Sequence, residues 1–189
     1  MLKLFYYDVT NMSEAEFSKL YYKSDERRKA KVDRLRKRPA KRLSVAAGEL
    51  MRSAIAGEFN KNPSELRFRT GKNGKPYVEN VKVEFSVSHS GNIAVCALSD
   101  KPVGIDIENI REANVNVARR LFTQDEQNYV FEKWPLVKQR FFEVWTRKEA
   151  YVKMLGKGVS YFPEFSSMGK SGIQTHIREK YIVSVAVKE

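Results

Sequence analysis

Apolar positions along this chain switch between a period of two and a period near 3.6, and the switches mark its elements. Residues 2–7 predict a short strand at the start. Ser13-Glu14-Ala15-Glu16 matches a capping box, so a helix is expected to begin there and run to about Tyr22. Residues 25–37 predict a basic helix. Pro39 separates it from a longer one over 40–59, whose buried stripe is Leu43, Ala47, Leu50, Ala54 and Ile55. Asn62-Pro63-Ser64 and the run 71–76 (Gly-Lys-Asn-Gly-Lys-Pro) carry turn chemistry. Val81, Val83, Phe85 and Val87 alternate with polar residues, predicting a strand that runs into Ser88-His89-Ser90-Gly91. Residues 93–98 are a wholly apolar run, expected as a buried strand, and Val103, Ile105 and Ile107 alternate again. A helix over 115–122 follows, then a second capping box at Thr123–Glu126 opening a long helix that ends at Leu155 before Gly156, and a last strand over Tyr181–Val187.

This order repeats itself faintly. Each half carries a long amphipathic helix and closes on an apolar strand, 92–98 in one and 181–187 in the other. The expected fold class is therefore α+β, with two related lobes, 1–102 and 103–189, meeting near residue 102.

Charge sharpens the picture because it is uneven. The chain has 189 residues and a net charge of +12, of which residues 23–42 contribute +8, with eleven Lys and Arg against Asp25, Glu26 and Asp33. A local basic surface is specified, suited to a phosphorylated small molecule, an acidic protein or nucleic acid. The 42% hydrophobic and 12% aromatic content belongs to a globular protein. The single Cys96 lies in an apolar run and reads as a buried, inert thiol, in keeping with a reducing cytoplasmic setting. No apolar run is long enough to span a membrane, and the start is too short in apolar residues for a signal peptide.

The candidate chemistry sits in two segments about forty positions apart. In Val103-Gly104-Ile105-Asp106-Ile107-Glu108, the strand period puts Asp106 and Glu108 on one face, about 7 Å apart. Two carboxylates projecting together from a buried strand repel, and a divalent cation relieves them; oxygen ligands suit Mg²⁺. In the second segment, Trp145, Glu149 and Lys153 recur at i, i+4 and i+8, one stripe of a helix. Facing the strand, Glu149 would be a third carboxylate and Lys153 a cation for a phosphate. Taken singly, each half also fits a solvated strand face or an i, i+4 ion pair; together they favour a metal and a phosphorylated ligand. Ser88-His89-Ser90-Gly91 offers hydroxyls, an imidazole and backbone N–H groups to an anion. Ser88 and His89 are neighbours on a strand and point to opposite faces, which argues against a nucleophile–base pair. His176 reads as a surface residue, and Gly156-Lys157-Gly158 as a helix C-cap without Walker spacing.

The ordered set Gly74-Lys75-Pro76, Phe85-Ser86-Val87-Ser88-His89-Ser90, Val103-Gly104-Ile105-Asp106-Ile107-Glu108, Phe122-Thr123 with Glu126, and Trp145-x-x-Lys148-Glu149-Ala150-x-x-Lys153 resembles the 4′-phosphopantetheinyl transferase superfamily, in its two-lobed surfactin-synthetase-activating type. The resemblance covers roughly residues 25 to 165. It implies transfer of the phosphopantetheine arm of coenzyme A to a serine of an apo acyl or peptidyl carrier protein, with Mg²⁺, releasing adenosine 3′,5′-bisphosphate. It implies a pseudo-dimer of two lobes with coenzyme A in the cleft, acting as a monomer without nucleic acid or membrane. It maps metal ligation to Asp106, Glu108 and Glu149, the base to Glu149, and the pyrophosphate contact to Lys153. It also maps coenzyme A contacts to Arg28, Lys31, Ser44, Lys75, Ser88 and His89. The competing expectation is a basic nucleic-acid-binding protein using residues 23–42, which leaves the three carboxylates without a role.

Overall fold

In the computed structural model, which describes residues 1–71 and 74–189, the chain builds one motif twice. In the first half, β1 (Leu2–Asp8) leads to α1 (Glu14–Lys23), α2 (Glu26–Asp33) and α3 (Arg38–Glu58). A short hairpin of β2 (Phe68–Thr70) and β3 (Pro76–Val78) follows, then β4 (Glu84–Ser90) and β5 (Ile93–Ser99). In the second half, β6 (Val103–Asn109) leads to α4 (Val115–Leu121), α5 (Gln124–Phe131) and α6 (Val137–Leu155), then β7 (Ile173–Ile177) and β8 (Tyr181–Val187). The two antiparallel sheets have matching orders, β1-β5-β4 and β6-β8-β7, so the last strand of each half lies between the other two. The expected α+β class is the one adopted, and the echo between halves corresponds to a repeated topology.

The central strands β5 and β8 are buried on both faces, and this explains the apolar runs. Ala94, Cys96 and Leu98 of β5 join the core formed with α3, whereas Val95 and Ala97 pack with Ile105, Ile107, Val183 and Val185 of the other sheet. A strand covered on both sides has no polar face to show. The β6 strand departs from the half-buried strand expected of it, because α6 lies across its second face and residues 103–107 are all buried. Gly104 permits that approach: a Cβ there would run into the Ala150 carbonyl. The Cys96 thiol is buried and pushed up to about 12 by desolvation, while His176 is exposed on β7.

Several boundaries differ from the sequence pattern. Ser13 caps α1 by accepting from Glu16 N at 3.1 Å, but the Glu16 carboxylate takes the Tyr7 hydroxyl at 2.5 Å instead of returning to the cap. Thr123 and Glu126 form the complete capping box. The helix expected to run from there to Leu155 is broken: α5 stops at Phe131, a 3₁₀ turn spans Trp134–Leu136, and α6 begins at Val137. Pro135 lacks the amide hydrogen that an uninterrupted helix needs. The strand expected from Val81 begins at Glu84, because Val83 N turns back to Val81 O. The β2–β3 hairpin and β7 were not anticipated; the turn chemistry at 71–76 joins the hairpin strands, with Lys72 and Asn73 outside the described residues.

Candidate active site

The two sheets meet where β4 runs alongside β6, and serine hydroxyls make the link. Ser86 Oγ accepts from Ile105 N at 3.1 Å; Ser90 Oγ accepts from Asn109 N at 3.1 Å and donates to Glu108 Oε2 at 3.0 Å. Between them, Ser88 Oγ donates to Asp106 Oδ1 at 2.7 Å. Spacing of two on a strand places all three hydroxyls on one face. The α6 helix completes the junction, with Lys153 Nζ 2.6 Å from Asp106 Oδ1, 3.0 Å from Ser88 Oγ and 3.3 Å from Ile105 O.

Beside this junction opens a cavity of about 510 Å³. It is walled by Arg28 and Lys31 of α2, Ala47 and Met51 of α3, Gly74, Lys75 and Pro76 of the hairpin, Phe85 to His89 of β4, and Lys153, Gly156 and Lys157 at the end of α6. Among the described residues, all five charged ones lining it are cations, which suits a polyanion. Lys75 is steadied by Glu84 at 3.1 Å and by the Val103 carbonyl at 3.3 Å. Arg28 and Lys31 are both lowered from their ordinary values, first by desolvation; neighbouring cations add to this. His89 is lowered likewise by desolvation and then by Lys31, so the imidazole is neutral near pH 7. Of the residues expected to hold the ligand, Arg28, Lys31, Lys75, Ser88, His89 and Lys153 line this one cavity. Ser44 does not: it is buried in α3 with its hydroxyl unpartnered, and is linked to the cavity wall through its carbonyl, which accepts from Arg28 Nη1 at 3.4 Å.

The carboxylates lie behind Lys153 and Ser88. Asp106 is 4% exposed; burial raises its proton affinity, with Lys153 and Ser88 opposing. Its Oδ2 is buried without a partner. Glu108 accepts from Ser90 and from Arg111, the latter at 2.8 Å. Glu149 is pushed up to about 7, chiefly by burial; Lys153 opposes the rise, while Asp106 and Glu108 add to it. Among the described residues no three His, Cys, Asp or Glu side chains converge as a ready-made metal cluster. The donor chemistry nonetheless fits a hard cation, since the orphaned buried Asp106 Oδ2 and the burial of the Glu149 carboxyl are what such an ion relieves.

Other parts of the signature serve the architecture. Lys148 points away from the cavity into a buried pair with Glu126, Nζ to Oε2 2.7 Å, both side chains 0% exposed. Lys148 Nζ also donates to the Phe165 carbonyl at 2.5 Å, and Glu126 Oε1 accepts from Ser167 N and Oγ at 2.7 and 2.8 Å. The basic run is divided. Arg38 and Arg42 pair with Glu14, Lys29 with Glu26, and of the run only Arg28 and Lys31 line this cavity. Sequence reasoning did not assign Ser86 and Ser90 to the lobe junction, although serine at every second position was the available signal. Lys157, read first as part of a helix cap, borders the cavity while Gly156 caps α6 at φ +67°.

Comparison with known proteins adds a family. Residues 102–184 match the family described as 4′-phosphopantetheinyl transferase superfamily, and residues 11–101 match 4′-phosphopantetheinyl transferase, N-terminal. The chain is 41% identical over 118 residues to the 4′-phosphopantetheinyl transferase psf-1 of Bacillus pumilus, covering 60% of this chain and 50% of that protein. It is 39% identical over 118 residues to 4′-phosphopantetheinyl transferase gsp of Aneurinibacillus migulanus, covering 61% and 49%. It is 33% identical over 135 residues to 4′-phosphopantetheinyl transferase HetI of Nostoc, covering 67% and 57%. The matched stretch thus spans about half the length of these relatives.

Proposed function

We propose that this chain, which belongs to the 4′-phosphopantetheinyl transferase superfamily, transfers the phosphopantetheine arm of coenzyme A to a serine of an apo acyl or peptidyl carrier protein and releases adenosine 3′,5′-bisphosphate. One observation carries the reading: Lys153 lines the cationic cavity and at the same time bonds Asp106, so the anion pocket and the carboxylates share one junction. In this reading residues 1–102 and 103–189 are two lobes of one pseudo-twofold unit, acting as a monomer with its site in the cleft between them.

The cavity binds the anionic end of coenzyme A. Arg28, Lys31 and His89 face the nucleotide phosphate, with Ser44 behind Arg28 and Lys75 toward the adenine end. Lys153 and Ser88 lie where the pyrophosphate reaches the junction. A serine hydroxyl is a weak nucleophile, and Glu149, with a proton affinity near neutrality, is suited to take its proton. The serine oxygen bonds to the pantetheine-side phosphorus as the phosphorus–oxygen bond to the leaving bisphosphate breaks, and Lys153 offsets the charge that gathers on the departing group. Asp106 through its unpartnered Oδ2, Glu108 and Glu149 would hold Mg²⁺, which when bound supplies positive charge to the phosphate oxygens. Carrier proteins of this kind are acidic, so a +12 chain gains encounter rate from its charge, less so at high salt. No helix among the described residues is long and apolar enough to cross a membrane.

The test is mass spectrometry of apo carrier proteins incubated with coenzyme A and Mg²⁺. The expected result is gain of the phosphopantetheine mass, lost on chelation and restored by Mg²⁺. No gain across several apo carriers overturns the reading, and tight duplex DNA binding without coenzyme A binding would favour the nucleic-acid alternative on residues 23–42 instead.

A further inference from the structure

We infer that Gly48 is a positioning residue for coenzyme A: by carrying no side chain, it leaves the slot on α3 in which the Arg28 guanidinium lies. The inference rests on the transferase reading for its ligand, but the slot itself does not depend on it.

Gly48 is buried well inside α3. A Cβ there would meet Arg28 Nε at 2.8 Å, Cζ at 3.2 Å and Cδ at 3.4 Å, and these are its three nearest atoms. One turn earlier on the same helix, the Ser44 carbonyl accepts from Arg28 Nη1. The guanidinium therefore lies along the helix surface between residues 44 and 48, at the edge of the cavity that Arg28 lines. Alanine is favoured over glycine in a helix interior, so a glycine kept at a buried helical position calls for a packing reason, and Arg28 supplies it. The obstructing atoms belong to the end of a flexible side chain, not to backbone. Alanine at 48 would therefore leave the fold standing and move the arginine. Gly57, also in α3, is exposed with nothing within 4 Å of a built Cβ, and serves as the matched control.

The experiment compares wild type, Gly48→Ala, Gly57→Ala, Arg28→Ala and the Gly48→Ala/Arg28→Ala double variant. Both glycine variants should stay folded, with Tm within about 4 °C of wild type. Gly48→Ala should weaken coenzyme A binding by about tenfold in calorimetry and raise KM with kcat within about twofold, as lost ground-state binding does. Gly57→Ala should leave binding unchanged, and Gly48→Ala should add less than about twofold once Arg28 is absent. Unchanged binding in Gly48→Ala, or an equal loss with and without Arg28, overturns the inference. If the wild type binds no coenzyme A, the transferase reading fails and the slot is judged by phenylglyoxal labelling of Arg28, quantified by mass spectrometry. Faster labelling in Gly48→Ala than in wild type or Gly57→Ala sustains the slot, and equal rates refute it.

Discussion

Gly104 and Ala150 leave no room for a side chain between strand and helix: a methyl group on Gly104 would overlap the Ala150 carbonyl oxygen and stand 2.5 Å from the Met154 amide nitrogen. That backbone contact sets the height of α6 above β6, and at that height Lys153 reaches Asp106 at 2.6 Å. Because the colliding atoms are backbone, Gly104→Ala should destabilise the fold by about 1–3 kcal/mol. Transfer should fall even at temperatures where the variant stays folded. Thermal denaturation and a transfer assay well below Tm check both; a variant with normal Tm and normal transfer would show that α6 can lift freely.

Glu149→Gln keeps the side chain's shape and removes its ability to take a proton. General-base catalysis is worth on the order of 10²–10⁴-fold, so transfer should drop by at least that range. Stability should not fall, since burial already disfavours the charged carboxylate. Rates by mass spectrometry decide it, and unchanged turnover would remove Glu149 from the mechanism.

The Lys148–Glu126 pair is enclosed on all sides. Lys148→Met alone strands the Glu126 charge and should destabilise by about 3–5 kcal/mol. Adding Glu126→Gln should recover a part, because it removes the stranded charge while the amide oxygen still accepts from Ser167 N and Oγ. Urea denaturation of the single and double variants measures the difference, and additive losses would show that the two residues are not coupled.

His89 should titrate below its ordinary 6.5, held down by desolvation and by Lys31. A folded-state value below the unfolded one means that the unfolded chain binds the proton first. Stability is therefore intact above pH 6.5 and is lost as pH falls from there through the folded-state value. NMR titration of the imidazole gives the direction, and the Tm difference between wild type and His89→Gln across pH 8 to 5 gives the consequence. An imidazole titrating above 6.5 contradicts the geometry.

The sequence determined more of the site's membership than of its arrangement. Alternation placed Asp106 and Glu108 on one strand face, and the i, i+4, i+8 spacing placed Glu149 and Lys153 on one helix stripe, because these periods are local properties of the backbone. The same logic revealed the capping box at Thr123 and the repeat of helix and apolar strand. It did not reveal the hairpin of β2 and β3, whose three-residue strands are too short to show a period, nor did the helical spacing expose the break that Pro135 makes between α5 and α6.

Tertiary structure decided the rest, through contacts between segments far apart in the chain. Asp106 gained its counter-ion from α6, 47 residues away, and lost solvent on both strand faces because a helix covers one and the opposite sheet the other. Lys148 and Lys153, five positions apart on α6, went to opposite fates, one to a sealed pair and one to the cavity. Ser44 stayed inside the helix that Arg28 lies against. Spacing fixes which way a side chain points from its own element, but burial, pairing and proton affinity depend on what another element places there.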